Sequence, residues 1–138
     1  MAEPQLLTCL LAEGSRSEIG HKKTLNGLFT GDDINVETNQ EVETKLNAGG
    51  ILTMPSMLIL AIFEVPVGEY KYRAHLTLPS GKKFETSQDT VVKSKVPKLF
   101  IENLFSPFPI QEYGKYTLNM TLNDRPFAYV FNIVKIPK

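Results

Sequence analysis

Two histidines and one cysteine, His21, His75 and Cys9, are the chain's whole stock of imidazole bases and thiol nucleophiles. Neither histidine has a Cys, His or acidic neighbour at metal-ligand spacing. His75 alternates with Lys71 and Arg73, which places it on the wet side of a strand; His21 adjoins Lys22 and Lys23 at a strand entry. Cys9 sits inside LLTCLLA. A reactive thiolate needs exposure and nearby positive charge, and apolar neighbours supply neither. Asp32 and Asp33 with Glu37 raise the question of calcium, but their spacing matches no defined calcium loop. There is no Gly-x-Ser-x-Gly elbow and no phosphate-cradling glycine loop. These residues predict a protein that is not an enzyme, with no metal and no cofactor.

Binding chemistry leaves more to weigh. Phe105, Phe108 and Tyr113, around Ser106–Pro109, are the one aromatic group outside a clear strand. They are the candidate binding residues, lining a groove for a small ligand or carbohydrate; the opposing reading has them plug the end of the fold. Sugar platforms favour exposed aromatics, and the chain has no tryptophan. Lys22, Lys23, Lys82 and Lys83 are a possible nucleic-acid patch, yet fifteen basic residues are balanced by fifteen acidic ones. A dedicated nucleic-acid binder carries a basic surplus, so no nucleic-acid partner is expected. Residues 32–43 hold five acids and no base, while Lys93, Lys95 and Lys98 gather elsewhere; this asymmetry could steer a protein partner or reflect two solvated loops.

The elements that must position these residues are strands. Residues 116–122 alternate Tyr116, Leu118, Met120, Leu122 with Thr117, Asn119, Thr121, the period of a strand with one buried face. Residues 127–133 repeat the pattern. A tip at Asp124–Arg125, or a four-residue loop Asn123–Pro126, sets Leu122 opposite Phe127, Met120 opposite Tyr129, Leu118 opposite Phe131 and Tyr116 opposite Ile133. Val130 and Val134 interrupt the polar side and predict partial cover there. Gln5–Ala12 and Met57–Val65 are apolar on both faces, as central strands are. Glu13–Gly20 reads as a link, and His21–Thr30 as a strand with a bulge at Gly27 that Ile34 and Val36 extend. Further strands are expected at Glu69–Leu78, Lys82–Thr86, Val91–Val92 and Lys98–Leu104. Ser106–Pro109 reads as irregular, because proline cannot donate to a ladder. Over 37–50 the polar run TNQEVETKLNAGG is either two or three turns of helix or a loop.

The stretches at 68–81 and 114–126 each begin Gly-x-Tyr, then alternate, then turn. A tyrosine near a strand's start can bond back to the preceding backbone turn in immunoglobulin-like domains; Tyr70 and Tyr116 are the candidates. A chain of 138 residues is one domain, residues 1–138. The fold class expected is all-β: a two-layer antiparallel β-sandwich, immunoglobulin-like, of about seven to nine strands. Its predicted core is Leu7, Leu25, Phe29, Leu60, Ile62, Tyr70, Leu76, Tyr116, Leu118, Met120, Leu122, Tyr129 and Phe131.

The order of these segments resembles a family of small bacterial β-sandwich domains of unknown function. The likeness rests on Leu25, Gly27 and Phe29 in a Leu-x-Gly-x-Phe stretch, on the two Gly-x-Tyr strand starts, and on the closing Phe131-Asn132-Ile133. It covers most of the chain except residues 32–54, where this sequence is longer than the family pattern. The resemblance implies the fold and carries no activity.

The longest apolar run, MPSMLILAIFEVPV, is shorter than the roughly 20 residues a membrane helix needs. The start lacks the basic residues of a signal peptide, and one cysteine suits a reducing compartment. The expectation is therefore a non-catalytic interaction or accessory module of the bacterial cytoplasm. Its partner would be another protein, or a second copy through sandwich edges. The alternative is the small-ligand or carbohydrate module using Phe105, Phe108 and Tyr113.

Overall fold

The structure is a computed structural model that describes residues 3–18, 22–29, 31–38, 52–85, 90–110 and 112–137. The chain is all-β, with thirteen strands in four sheets among the described residues. The alternating segment is β12 (Gly114–Leu122), and it lies at the centre of the largest sheet. On one side it pairs with β13 (Arg125–Pro137), and on the other with β7 (Gly68–Thr77). β8 (Lys83–Glu85) and β9 (Thr90–Ser94) follow one another along the far edge of β7. β4 (Asp33–Thr38) closes the other edge, parallel to β13. This parallel pair departs from the purely antiparallel expectation. It sets Ile34 beside Ile133, and both side chains are buried.

A three-stranded antiparallel sheet holds β6 (Met57–Glu64) between β1 (Gln5–Ala12) and β10 (Lys98–Phe105). Two pairs complete the fold. β2 (Gly14–Glu18) pairs with β3 (Lys22–Asn26), and β5 (Leu52–Met54) with β11 (Phe108–Ile110). Thirteen strands in four sheets exceed the seven to nine expected, because short pairs formed where turns were read. GSRSE in β2 is too polar to advertise a strand, yet it makes a hairpin with β3. Pro109 sits inside β11, opposite Thr53. A ladder with one free side lets proline's missing N–H point away from the partner. The helix-or-loop question over 37–50 lies outside the described residues from 39 onward, as does His21.

One contiguous core joins the sheets. From the six-stranded sheet it takes Tyr70, Tyr72, Ala74, Leu76, Tyr116, Leu118, Met120, Leu122, Phe131 and Ile133; from the three-stranded sheet it takes Leu11, Met57, Ile59, Ala61, Phe63, Leu99, Ile101 and Phe105. Phe63 meets Phe127 edge-on across the core at 5.2 Å between centroids, within the favoured range for aromatic pairs. The predicted core holds in the six-stranded sheet. It misses in the other, where Leu60 and Ile62 stand on the outer face and the odd-numbered residues of β6 face inward. Both faces of MLILAIFE are apolar, so no contrast reveals which one is inside. Leu60 is still buried, as is Leu58. The β2–β3 hairpin reaches over this outer face, where the Ser15 hydroxyl donates to Glu102 Oε1 at 3.0 Å. Leu7 is 46% exposed, because the β1–β6 ladder breaks register between Leu6 and Thr8. Leu25, Phe29 and Tyr129 are half-buried, with Phe29 and Tyr129 packed against the core. Val130 and Val134 are 39% and 36% exposed, consistent with partial cover.

Two sequence signals are explained by backbone geometry. Gly27 has φ +63°, where a Cβ would meet the Glu13 side chain at 2.7 Å. This conformation, open to glycine at little cost, lets the Gly27 carbonyl accept from Glu13 N–H at 3.1 Å and returns Phe29 N–H to the Leu11 carbonyl at 2.8 Å. The Gly-x-Tyr starts behave as expected. The Tyr70 hydroxyl donates to the Pro66 carbonyl, and the Tyr116 hydroxyl donates to the Glu112 carbonyl at 2.6 Å.

The β12–β13 hairpin corrects the expected register by two residues. Leu122 faces Arg125, Met120 faces Phe127, Leu118 faces Tyr129 and Tyr116 faces Phe131. A shift of two preserves the buried face, so the apolar sets still meet. The tip is Asn123–Asp124, with φ of 48° and 68°. Positive φ at both positions is the type I′ turn that matches strand twist, and asparagine favours it. Asn123 also ties the tip to β7: its Oδ1 accepts from Lys71 N–H at 2.8 Å, and its N–H donates to the Lys71 carbonyl at 2.9 Å. Asp124→Gly should therefore stabilise the protein by about 0.5–1 kcal/mol by relieving the left-handed penalty. Asn123→Ala should cost about 1–2 kcal/mol. Urea unfolding checks both, and midpoints unchanged from the parent would refute this account of the tip.

Candidate functional site

β9 and β10 are joined through residues 95–97 but belong to different sheets. Ser94, itself buried, fixes the divergence: its hydroxyl lies within hydrogen-bond reach of the Val96 carbonyl and, at 3.1 Å, of the Lys98 carbonyl. The Val65 N–H donates to the Pro97 carbonyl at 3.2 Å and anchors the bend. Beyond it the two strands part and leave a groove of about 430 Å³. Among the described residues each has one paired side, β9 with β7 and β10 with β6.

Alternation along KLFIENLF sorts this wall. Leu99, Ile101, Asn103 and Phe105 point inward and are buried; Lys98, Phe100, Glu102 and Leu104 are exposed. Phe100 is 55% and Leu104 57% exposed. The opposite wall is Thr90 and Val92, and Tyr72 and Asn103 form the floor. Asn103 is the one polar member of the inner stripe of β10, and it is 5% exposed. A buried amide is tolerated only when bonded. Here the Tyr72 hydroxyl donates to Asn103 Oδ1 at 2.6 Å, and Asn103 Nδ2 donates to the Ile59 carbonyl at 3.1 Å. Burial raises the Tyr72 phenol well above its ordinary range, opposed by the Asn103 bond. The floor is therefore a neutral, satisfied polar bridge between the sheets. What the groove offers is shape, exposed apolar side chains and strand edges, a chemistry suited to holding an extended chain.

The sequence-singled residues lie elsewhere. Phe105 and Phe108 are buried in the core with centroids 5.7 Å apart, and Phe108 continues to Tyr116 at 6.1 Å. They form no surface platform. Tyr113 is half-buried with the Lys135 ammonium 5.9 Å from its ring centroid. His75 is half-buried opposite Asn119. Asp32 Oδ1 accepts from the Tyr129 hydroxyl at 2.7 Å, and Asp33 Oδ1 from Asn132 Nδ2 at 3.1 Å; the side chain of Glu37 lies outside the described residues. Among the described residues no three His, Cys, Asp or Glu converge as a metal site would require. Lys93 pairs with Glu69 at 3.3 Å and Lys98 with Glu64 at 3.1 Å. Sequence reading placed the strand at 98–104 but passed over Phe100, Asn103 and Leu104. The available signal was a polar residue on an otherwise apolar inner stripe, with two large apolar residues on the outer one.

Fold and groove together define an all-β chain in which, among the described residues, β9 and β10 each have one unpaired side. No family model matches the chain. The large ribosomal subunit protein bL25 of Rhodopirellula baltica is 40% identical to it over 57 residues, which is 41% of this chain. The chain spans only 26% of that curated protein's length. The similarity is thus short and to a bacterial protein. Among the described residues no helix is long and apolar enough to cross a membrane.

Buried ionisable groups give two checks. Burial, with the Asp32 charge adding to it, pushes the Cys9 thiol up to about 12. Native Cys9 should be inert to a disulfide reagent at pH 8 and react on unfolding; rapid native reaction would contradict the shielding. Burial also raises the phenols of Tyr72, Tyr129 and Tyr116, the last to about 12 despite its bond to the Glu112 carbonyl. Unfolded phenols ionise near pH 10, so the folded state holds these protons more tightly. Their contribution is complete below about pH 10 and is lost as pH climbs through the folded values. Ultraviolet titration should show Tyr72, Tyr116 and Tyr129 missing from the native tyrosinate signal at pH 11 and present in urea. A full native signal at that pH would refute it.

Proposed function

We propose that this chain is a non-catalytic protein-interaction module that binds through the free edge and outer face of β10. The observation that carries the reading is the wall of that strand: Phe100 and Leu104 stand exposed beside an open groove. Unpaired edges accept a partner strand through main-chain hydrogen bonds, while alternate side chains supply specificity. The ionisable groups lining the groove are Tyr72 and Glu102; the Tyr72 hydroxyl donates to Asn103 and Glu102 accepts from the Ser15 hydroxyl. Burial of Phe105 and Phe108 speaks against the small-ligand alternative at those aromatics. The stretch shared with a ribosomal protein does not redirect the reading toward RNA, because cations and anions balance in this chain and phosphate backbones recruit a basic surplus.

The test is affinity capture from the source cell with the full chain and with Leu104→Arg, followed by hydrogen exchange on the retained complex. Leu104 is exposed, so the variant should melt like the parent. The expected result is a partner held by the parent and lost by the variant, with protection confined to residues 98–105. Equal capture by both, or no capture, would overturn the proposal.

A further inference from the structure

The interaction reading leaves the partner open, and the register of β10 narrows it. In an antiparallel pair, directly opposite residues share a face. About a two-fold axis each pairing of i with j is matched by j with i. A second copy of β10 can therefore pair with the first only about a central residue that meets itself. Centring on Glu102 opposes two carboxylates. Centring on Ile101 sets Lys98 against Leu104 and Phe100 against Glu102, charge against apolar surface. Centring on Phe100 differs in kind: Phe100 meets Phe100, Lys98 meets Glu102 twice, and buried Leu99 meets Ile101 on the inner face.

We infer that β10 is a self-complementary edge that pairs antiparallel with β10 of a second copy, in register about Phe100. This rests on the interaction reading above and names its partner. The outer face of the pair carries two complementary ion pairs flanking an aromatic contact. Lys98 and Glu102 are both exposed; within one copy Lys98 pairs with Glu64, and the contacts of Glu102 include the Ser15 hydroxyl. Val96, 58% exposed in the bend before β10, falls toward Leu104 of the second copy, which buries a further apolar pair. Joined this way, the two three-stranded sheets become one six-stranded sheet in the order β1, β6, β10, β10, β6, β1. Charges on an edge ordinarily repel an incoming strand. Here the two signs are four residues apart and symmetric about Phe100, so they favour this register over those centred on Ile101 and Glu102.

The experiment uses the full chain. Sedimentation equilibrium should show a reversible dimer for the parent. Lys98→Glu alone and Glu102→Lys alone each create two like-charge oppositions and should weaken the dimer on the order of tenfold or more. An equal mixture of the two variants restores both oppositions as Glu–Lys pairs and should dimerise as the parent does. If either variant melts early, cysteine pairing keeps the register testable. Phe100→Cys should form a covalent dimer on mild oxidation, because opposite Cβ atoms lie within disulfide reach. Leu104→Cys, equally exposed but some eight residues from its own copy along the ladder, should not. A mixture that stays monomeric, or equal cross-linking by the two cysteines, would overturn the register. A monomeric parent that still captures a different protein through residues 98–105 would overturn self-pairing and leave the interaction module standing.

Discussion

Leu118 can be buried only if something covers β12 on one side along its whole length, and the rest of the molecule is arranged by that need. Tyr116, Leu118, Met120 and Leu122 lie on a single face. β7 and β13 extend that face laterally with their own inward residues, and the three-stranded sheet lies over it with Ile59, Ala61 and Phe63. A slip of one residue anywhere in β12 would turn threonine and asparagine toward Phe63 and Phe131. Fully burying an aliphatic side chain is worth about 1.5–3 kcal/mol, so the slip would forfeit several such terms at once. The aromatic run from Phe108, edge-on to Tyr116 at 6.1 Å, and on to Phe131, stacked on Tyr116 at 5.4 Å, adds directional contacts to the same requirement.

Polar groups survive inside this packing only where geometry supplies a partner. Tyr116 and Tyr70 each send a hydroxyl back four residues to a carbonyl at the strand entrance. The ring then fills the core while the oxygen satisfies a turn that no ladder reaches. Tyr72 solves the same problem across the sheets through Asn103, which returns its second bond to Ile59 in the neighbouring strand. Leaving any of these acceptors orphaned would cost about 1–3 kcal/mol. The tyrosines therefore set where strands begin and how far apart the layers stand.

What could be read in advance follows from contrast between faces. β7 and β12 carry polar residues on every second position, so their inward sets were plain, and Gly-x-Tyr announced the two strand entrances. β6 has no such contrast, and its inward parity came out opposite to expectation at Leu60 and Ile62. The hairpin tip differs from the expected Asp124–Arg125 because both dipeptides suit a turn, and the positive φ at Asn123 and Asp124 decides between them. β2 stayed hidden because a strand paired only to its hairpin partner needs little apolar character. The groove was unreadable for a different reason: it arises from two strands, adjacent in sequence, that leave for different sheets. Ser94 makes that division, and nothing in its own identity foretells it.

The same division is why the proposed binding surface is placed at β10 and not at Phe105 and Phe108, which are buried. Phe105 and Phe108 are the end of the core, so their exposure would unmake the fold before it served a ligand. β10 instead is held from within by Leu99, Ile101, Asn103 and Phe105, while Phe100 and Leu104 stand exposed on its outer face. Exposed Phe100 and Leu104 add to the apolar surface a folded chain shows water, and on an edge unpaired among the described residues such side chains invite association. A chain could blunt that edge with one sign of charge. This one places Lys98 and Glu102 on either side of Phe100, and opposite signs at equal distances from a centre discriminate between partners and registers more than they repel.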